Sequence, residues 1–220
     1  MRRSCYHCGR TDSLTADHVP PKGFFPNPKP SNLITVRCCQ TCNAAFSKDD
    51  EEMRAYLCSF IGASESASWI LQNKVIPRLR KNPKFREPFL NSMQEGKLLT
   101  VEDGVINVFR YEIDAEQAAG FIIRITKGLL SHFYPGYDFS TDIFRVCHIE
   151  PTIEALSKME KIRDLLKYDW RGNNVFQFRH GITDTKRGGL WLLVFYGAPM
   201  FFVGHSHPDL LTTQISIPSE

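Results

Sequence analysis

Beyond residue 48 the hydrophobic positions recur with periods near 3.6 or 2, the marks of helix and strand. Met53, Tyr56, Leu57 and Phe60 form an apolar stripe at i, i+3, i+4 and i+7. The run Ser47-Lys48-Asp49-Asp50-Glu51-Glu52 places acids near the expected helix start, after Asn43. Residues 64–93 read as two further helices broken at Pro83. KLLTVEDGVINVFRYEI predicts a hairpin turning at Asp103-Gly104. AEQAAGFIIRITKGLLSHF predicts a strongly apolar, largely buried helix that Pro135-Gly136 stops. IFRVCHIE predicts a short strand, and PTIEALSKMEKIRDLLK an amphipathic helix with Pro151 in its first turn. NVFQFRHGIT, LWLLVFY and MFFVGHS predict three strands separated by turns.

The first 48 residues follow neither period. They are rich in Cys, Pro, Asn and Asp, and predict a small module of turns and a short hairpin held by metal. Pro20 to Pro30 (PPKGFFPNPKP) is a proline-stiffened loop. The fold class is therefore α+β: a metal-held N-terminal module over residues 1–60, then a mixed helix and antiparallel-strand domain over residues 61–220.

Composition narrows this little. The hydrophobic fraction of 42% and charged fraction of 23% are ordinary for a soluble globular protein. A run of about eighteen apolar residues, the signature of a membrane-spanning helix, is absent. The N-terminus MRRSCYHCGR has no apolar core behind its arginines, so it does not read as a secretory signal. A net charge of +3 gives no global argument for nucleic acid, so any basic binding surface must be local. Of seven cysteines, four have zinc-ligand spacing, leaving Cys38, Cys58 and Cys147. Free thiols beside a thiolate site fit a reducing compartment, and a cytoplasmic location is expected.

The candidate chemistry lies in the first fifth of the chain. Cys5-x2-Cys8 and Cys39-x2-Cys42 bracket the dipeptide Asp17-His18. Each pair offers two thiolates, and the two pairs complete a closed, structural Zn²⁺ site. Cys38-x3-Cys42 is an alternative pairing; Cys39 gives the tighter knuckle and matches the first half. His18 suits a general base, because its unperturbed pKa lies near neutrality. On an extended segment neighbours point to opposite sides, so Asp17 can serve a metal while His18 serves a water. Asn43 follows a zinc ligand where a helix begins, and its amide oxygen is a hard ligand compatible with Mg²⁺. Asn32, taken as the first residue of the strand NLITV, can brace the loop that carries His18.

CYHCG, LTADHVPP, SNLITV and CQTCNAAFSKDD, in this order, resemble the HNH (ββα-metal) endonucleases, in the branch with flanking zinc knuckles. The resemblance covers residues 4–54. It implies that His18 is the general base, that Asp17 and Asn43 bind the catalytic divalent ion, and that Asn32 supports the loop. The final position is often histidine in that family; asparagine here argues for Mg²⁺ or Mn²⁺ as the catalytic ion. The implied activity is metal-dependent nicking or cutting of DNA, with RNA left open as substrate. The rival reading is a non-catalytic zinc-knuckle module that binds nucleic acid or a protein.

Lys74, Arg78, Arg80, Lys81, Lys84 and Arg86 form a dense positive cluster without an acid, which reads either as a phosphate-binding surface or as a solvated face. Lys48 is a weaker candidate for phosphate contact. His205-x-His207 reads as a strand end with two polar side chains, and Trp191, Phe195 and Tyr196 as core. Paired cuts would favour a homodimer, and analogy to standalone nucleases points to phage defence with a partner protein from such a system.

Overall fold

The computed structural model describes residues 4–100, 104–149, 166–171, 174–183, 185 and 187–210. Strands β1 (Leu14–Val19) and β2 (Ile34–Cys39) pair antiparallel, from Leu14 opposite Cys39 to Val19 opposite Ile34. Helix α1 (Gln40–Cys58) leaves β2 with no loop between them. Cys39 is its N-cap: the backbone is extended and Sγ accepts the Cys42 N–H at 3.5 Å. The helix therefore starts earlier than its acids imply, and Asp49 to Glu52 lie beyond its second turn. A thiol has replaced the usual capping oxygen, so the acids are not needed at the N-terminus and pair elsewhere.

Helices α2 (Glu65–Ile70) and α3 (Ile76–Lys81) are joined through a π-helical turn, Leu71–Val75. The wide turn comes just ahead of Pro77, which has no N–H to return to the preceding turn. Asn82 separates α3 from α4 (Pro83–Asn91) and caps the latter through Oδ1 on the Phe85 N–H, so the expected break holds. Strands β3 (Met93–Thr100) and β4 (Gly104–Tyr111) form the expected hairpin, with Thr100 opposite Gly104 and an arm that starts earlier than Lys97. Helix α5 (Ala115–Phe133) has the bounds its apolar run predicts, and Asp114 caps it through the Gln117 N–H at 2.9 Å.

The remaining strands are β5 (Ile143–Ile149), β6 (Lys167–Arg171), β7 (Phe176–Ile182), β8 (Gly188–Phe195) and β9 (Met200–Ser206). They form one antiparallel sheet in the order β5-β9-β8-β7-β6. Strand β6 corrects the sequence reading, which carried the helix begun at Pro151 as far as Lys167. Lys167 instead pairs with His180 at the sheet edge. Residues 151–165 of that expected helix lie outside the described residues.

The proline loop after β1 carries Phe24 and Phe25 into the core, both fully buried. Phe24 stacks on Phe121 of α5 at 5.6 Å and on Tyr196 at 6.2 Å, and lies 6.0 Å from Phe195 of β8. The Tyr196 hydroxyl donates to the Phe24 carbonyl at 2.9 Å. On the hairpin, Val19 lies against Gly128, so close that a β-carbon there would meet Val19 Cγ2 at 2.6 Å. Buried side chains from before and after residues 60–63 thus belong to one hydrophobic cluster. No helix among the described residues is long and apolar enough to cross a membrane.

Candidate metal centre and active site

The Sγ atoms of Cys5, Cys8, Cys39 and Cys42 all lie within 4.8 Å of one another. Cys8 and Cys39 are 3.6 Å apart, close to the edge of about 3.8 Å expected of a tetrahedron with zinc–sulfur bonds near 2.3 Å. The first knuckle is a tight turn: the Gly9 N–H donates to the Cys5 carbonyl, and Gly9 has a φ of +78°. The Tyr6 N–H donates to the Arg37 carbonyl and fastens this turn to β2. Burial pushes the Cys5 thiol up, but backbone hydrogen bonds from Cys8, Cys39 and His7 prevail and bring it down to about 6. Cys42 is pushed up, by burial first and then by the neighbouring Cys39 and Cys8 side chains, the crowding that a divalent cation relieves. These four residues could hold a metal ion such as zinc.

Cys38 stands apart from the four. It is fully buried with Sγ 3.8 Å from Cys5 Sγ, and burial followed by the Cys5 charge raises its pKa. The Sγ atoms gathered within 4.8 Å of one another include Cys39 and not Cys38, so Cys39 completes the second knuckle.

Asp17 and His18 point to opposite sides of β1, as the strand period requires. Asp17 is 6% exposed and accepts the Tyr6 hydroxyl on Oδ2 at 2.9 Å. His18 is half-buried on the other side; burial first and then the Lys22 charge lower its pKa, partly offset by Asp17. Asn43, in the first turn of α1, donates through Nδ2 to Thr15 Oγ1 at 3.2 Å, and Thr15 donates in turn to the Cys38 carbonyl. Thr15 and Asp17 share a face of β1, so the hydrogen bond ties Asn43 to the strand that carries Asp17. Asn32 is exposed in the turn ahead of Ile34, two residues before β2, and its side chain has no hydrogen-bond partner among the described residues. Among the described residues its side chain makes no brace to the segment that carries His18.

The basic candidates divide. Lys74 is half-buried: Nζ donates to the Gly23 and Phe25 carbonyls, 2.9 Å each, and lies 5.8 Å from the Trp69 ring. Burial lowers its pKa to about 8. It braces the proline loop. Arg78 pairs with Glu51 at 3.1 Å, and Lys48 with Glu52 at 3.7 Å. Arg80, Lys81 and Lys84 are exposed and Arg86 half-buried, with no ion pair among the described residues. His205 is buried, with Nδ1 2.7 Å from Asp142 Oδ2, while His207 lies nearer the surface beside Asp209 at 3.3 Å.

Three contributors escaped the sequence reading: Tyr6 on Asp17, Thr15 on Asn43, and the buried ion pair of Arg124 with Asp50. A cation inside the apolar run FIIRITKGLL was a legible signal for the last. Burial raises the Asp50 pKa to about 6 in spite of the Arg124 charge. Compared with protein-family models, with curated proteins and with solved structures, the chain matches none.

Proposed function

We propose that this chain is a metal-dependent endonuclease that hydrolyses phosphodiester bonds of DNA, with His18 as general base. The observation that carries the reading is the order β1-β2-α1, in which the Asn43 amide is tied to Thr15 on the Asp17 face. Asn43 uses its NH₂ group on Thr15, which leaves the carbonyl oxygen as its ligand atom. Tyr6 holds one oxygen of Asp17 and orients the other. Asp17 and Asn43 are thus the residues that would hold Mg²⁺ or Mn²⁺, and such an ion supplies charge stabilisation at the phosphate and the leaving oxygen. His18, kept neutral near pH 7 by burial and Lys22, takes the proton of the attacking water. The four-cysteine cluster, filled by zinc, keeps the hairpin and helix start in register.

The test is plasmid DNA incubated with the purified full-length protein and Mg²⁺ or Mn²⁺, with and without chelator. Nicked or linear product is expected, and His18→Ala should abolish it with zinc content unchanged. Cleavage by His18→Ala at the wild-type rate rejects the base assignment. Binding to DNA without any cleavage favours the rival reading, a non-catalytic zinc-knuckle module, for which the near-complete burial of Asp17 speaks.

A further inference from the structure

A cleft of about 490 Å³ lies between the proline loop, α2 and the chain entering β7, with Phe25, Lys29, Trp69 and Val175 among its walls. Its size is within the usual range of small-ligand sites. Neither the cysteine cluster nor Asp17, His18 or Asn43 lines it. The walls are fixed from behind. Lys74 Nζ donates to the Gly23 and Phe25 carbonyls, and the Tyr196 hydroxyl to the Phe24 carbonyl. The Ser64 N–H donates to the Tyr196 carbonyl, and the Tyr196 N–H to the Val175 carbonyl, which ties the chain entering α2 to the sheet. The cleft is thus pre-formed, which spares a ligand the cost of ordering it.

Shape and charge define the ligand. Trp69 is half-buried, and with Pro26, Pro28 and Pro30 it gives the cleft flat apolar surfaces. Lys29 is the single cation lining it, with Nζ held by Asn27 Oδ1 at 2.9 Å. Lys74 Nζ lies 5.8 Å from the Trp69 ring and 2.9 Å from the Phe25 carbonyl. Arg54 approaches the same loop, since a β-carbon on Gly23 would meet its Nη1 at 2.6 Å, and it shares the carboxylate of Glu51 with Arg78. Against these cations, Glu65 is the one acid lining the cleft, and it is exposed. A flat apolar slot beside excess positive charge fits a planar ring that carries an anion. In a nucleic acid that is an unpaired nucleotide, because a base must leave its stack before it can lie on an indole. Resting on the reading of the chain as a nuclease, we propose that this cleft is a subsite for one unpaired nucleotide of the substrate strand. The base lies on Trp69 and the phosphate meets Lys29. The substrate class narrows to nucleic acid with a single-stranded stretch, such as a tail, a bubble or the unwound part of a supercoiled plasmid.

The experiment is fluorescence anisotropy of a short labelled oligothymidylate, and of a blunt duplex of equal length, titrated with zinc-loaded full-length protein without added Mg²⁺ or Mn²⁺. The single strand should bind more tightly than the duplex. Trp69→Ala should weaken strand binding about 5- to 150-fold, the span of one stacked base, while Trp69→Tyr keeps a ring and most of the affinity. Lys29→Ala should reduce the salt slope of strand binding by about 0.7, one phosphate contact, which a merely structural role would not move. Equal binding of strand and duplex, or wild-type strand affinity in Trp69→Ala, overturns the proposal. Should Trp69→Ala lose its cooperative melting, the Lys29→Ala slope decides the matter, and an unchanged slope overturns it. Thymidine monophosphate that competes at the strand's own Kd identifies a free-nucleotide site and overturns it likewise. Trp69-dependent strand binding without plasmid cleavage removes the nuclease reading and keeps the cleft as a nucleic-acid site. Cleavage by a protein whose strand binding ignores Trp69 removes the cleft and keeps the nuclease.

Discussion

Burial acts on the histidines His18, His180 and His205 in one direction, towards the neutral ring. For His18 this fixes the sign of a pH profile. Below its pKa the imidazole is protonated and cannot accept from water, so kcat/KM for cleavage should fall on the acid side with a midpoint below 6.5. A midpoint at or above 6.5 would contradict the environment described for His18. His180 is lowered to about 4, first by burial and then by Lys167, and its Nδ1 lies within hydrogen-bond distance of the Tyr134 hydroxyl, at 3.0 Å. The unfolded chain protonates this group near 6.5 and the folded chain only near 4, so its stabilisation is complete above 6.5. It is lost as pH falls towards 4, by up to about 3 kcal/mol. Urea midpoints at pH 7 and pH 5 should therefore converge in His180→Phe relative to wild type. The opposed directions of Asp17 and His18 were legible from the strand period. The Tyr6 hydroxyl on Asp17 and the Arg124 guanidinium on Asp50 were not, because tertiary packing brings them there from other elements.

One residue, Cys39, ends β2, caps α1 and belongs to the four-thiol group. Replacing it with serine keeps a capping oxygen but not a thiolate, so Cys39→Ser should lose zinc and unfold the hairpin–helix segment. Cys38→Ser, one position away, should retain the wild-type zinc stoichiometry. A metal assay on both separates cap from ligand, and loss of zinc from Cys38→Ser alone would reverse the pairing. The approach of α5 to β1 gives a second test. Gly128→Ala puts a methyl group 2.6 Å from Val19 Cγ2, and the buried, branched side chain has little room to yield. A cost of about 1–3 kcal/mol is expected, visible as a lower Tm. Helix α5 was legible to the residue because an apolar run lay between Asp114 and Pro135-Gly136. The start of α1 was obscured by its unusual cap, and β6 by its length: KYDWR is too short to display a period.

Across the molecule, the loop that follows β1 delivers Phe24 to a pocket built by α5 and the turn after β8. Residues 1–60 alone would expose Phe24, Phe25 and Val19 to water. They should therefore fail to give a cooperative melt even when zinc-loaded, which circular dichroism of that fragment against the full chain would show. Hydrophobic patterning carried the helical stripe to Phe60, two residues past the end of α1 at Cys58, and it carries no sign of whether apolar faces on either side of that end meet. Tyr196 and Phe24 are separated by most of the chain, and their hydrogen bond leaves no trace in local sequence. That bond also imposes an order on biosynthesis. All four thiols have left the ribosome long before Arg124, and Arg124 long before Tyr196. A nascent chain thus carries the four thiols early, while β1 waits for α5 and the loop waits for the far end of the sheet. Interrupted synthesis would yield chains that carry all four thiols without the later packing, so that on the proposed reading any zinc is loaded before the site is assembled.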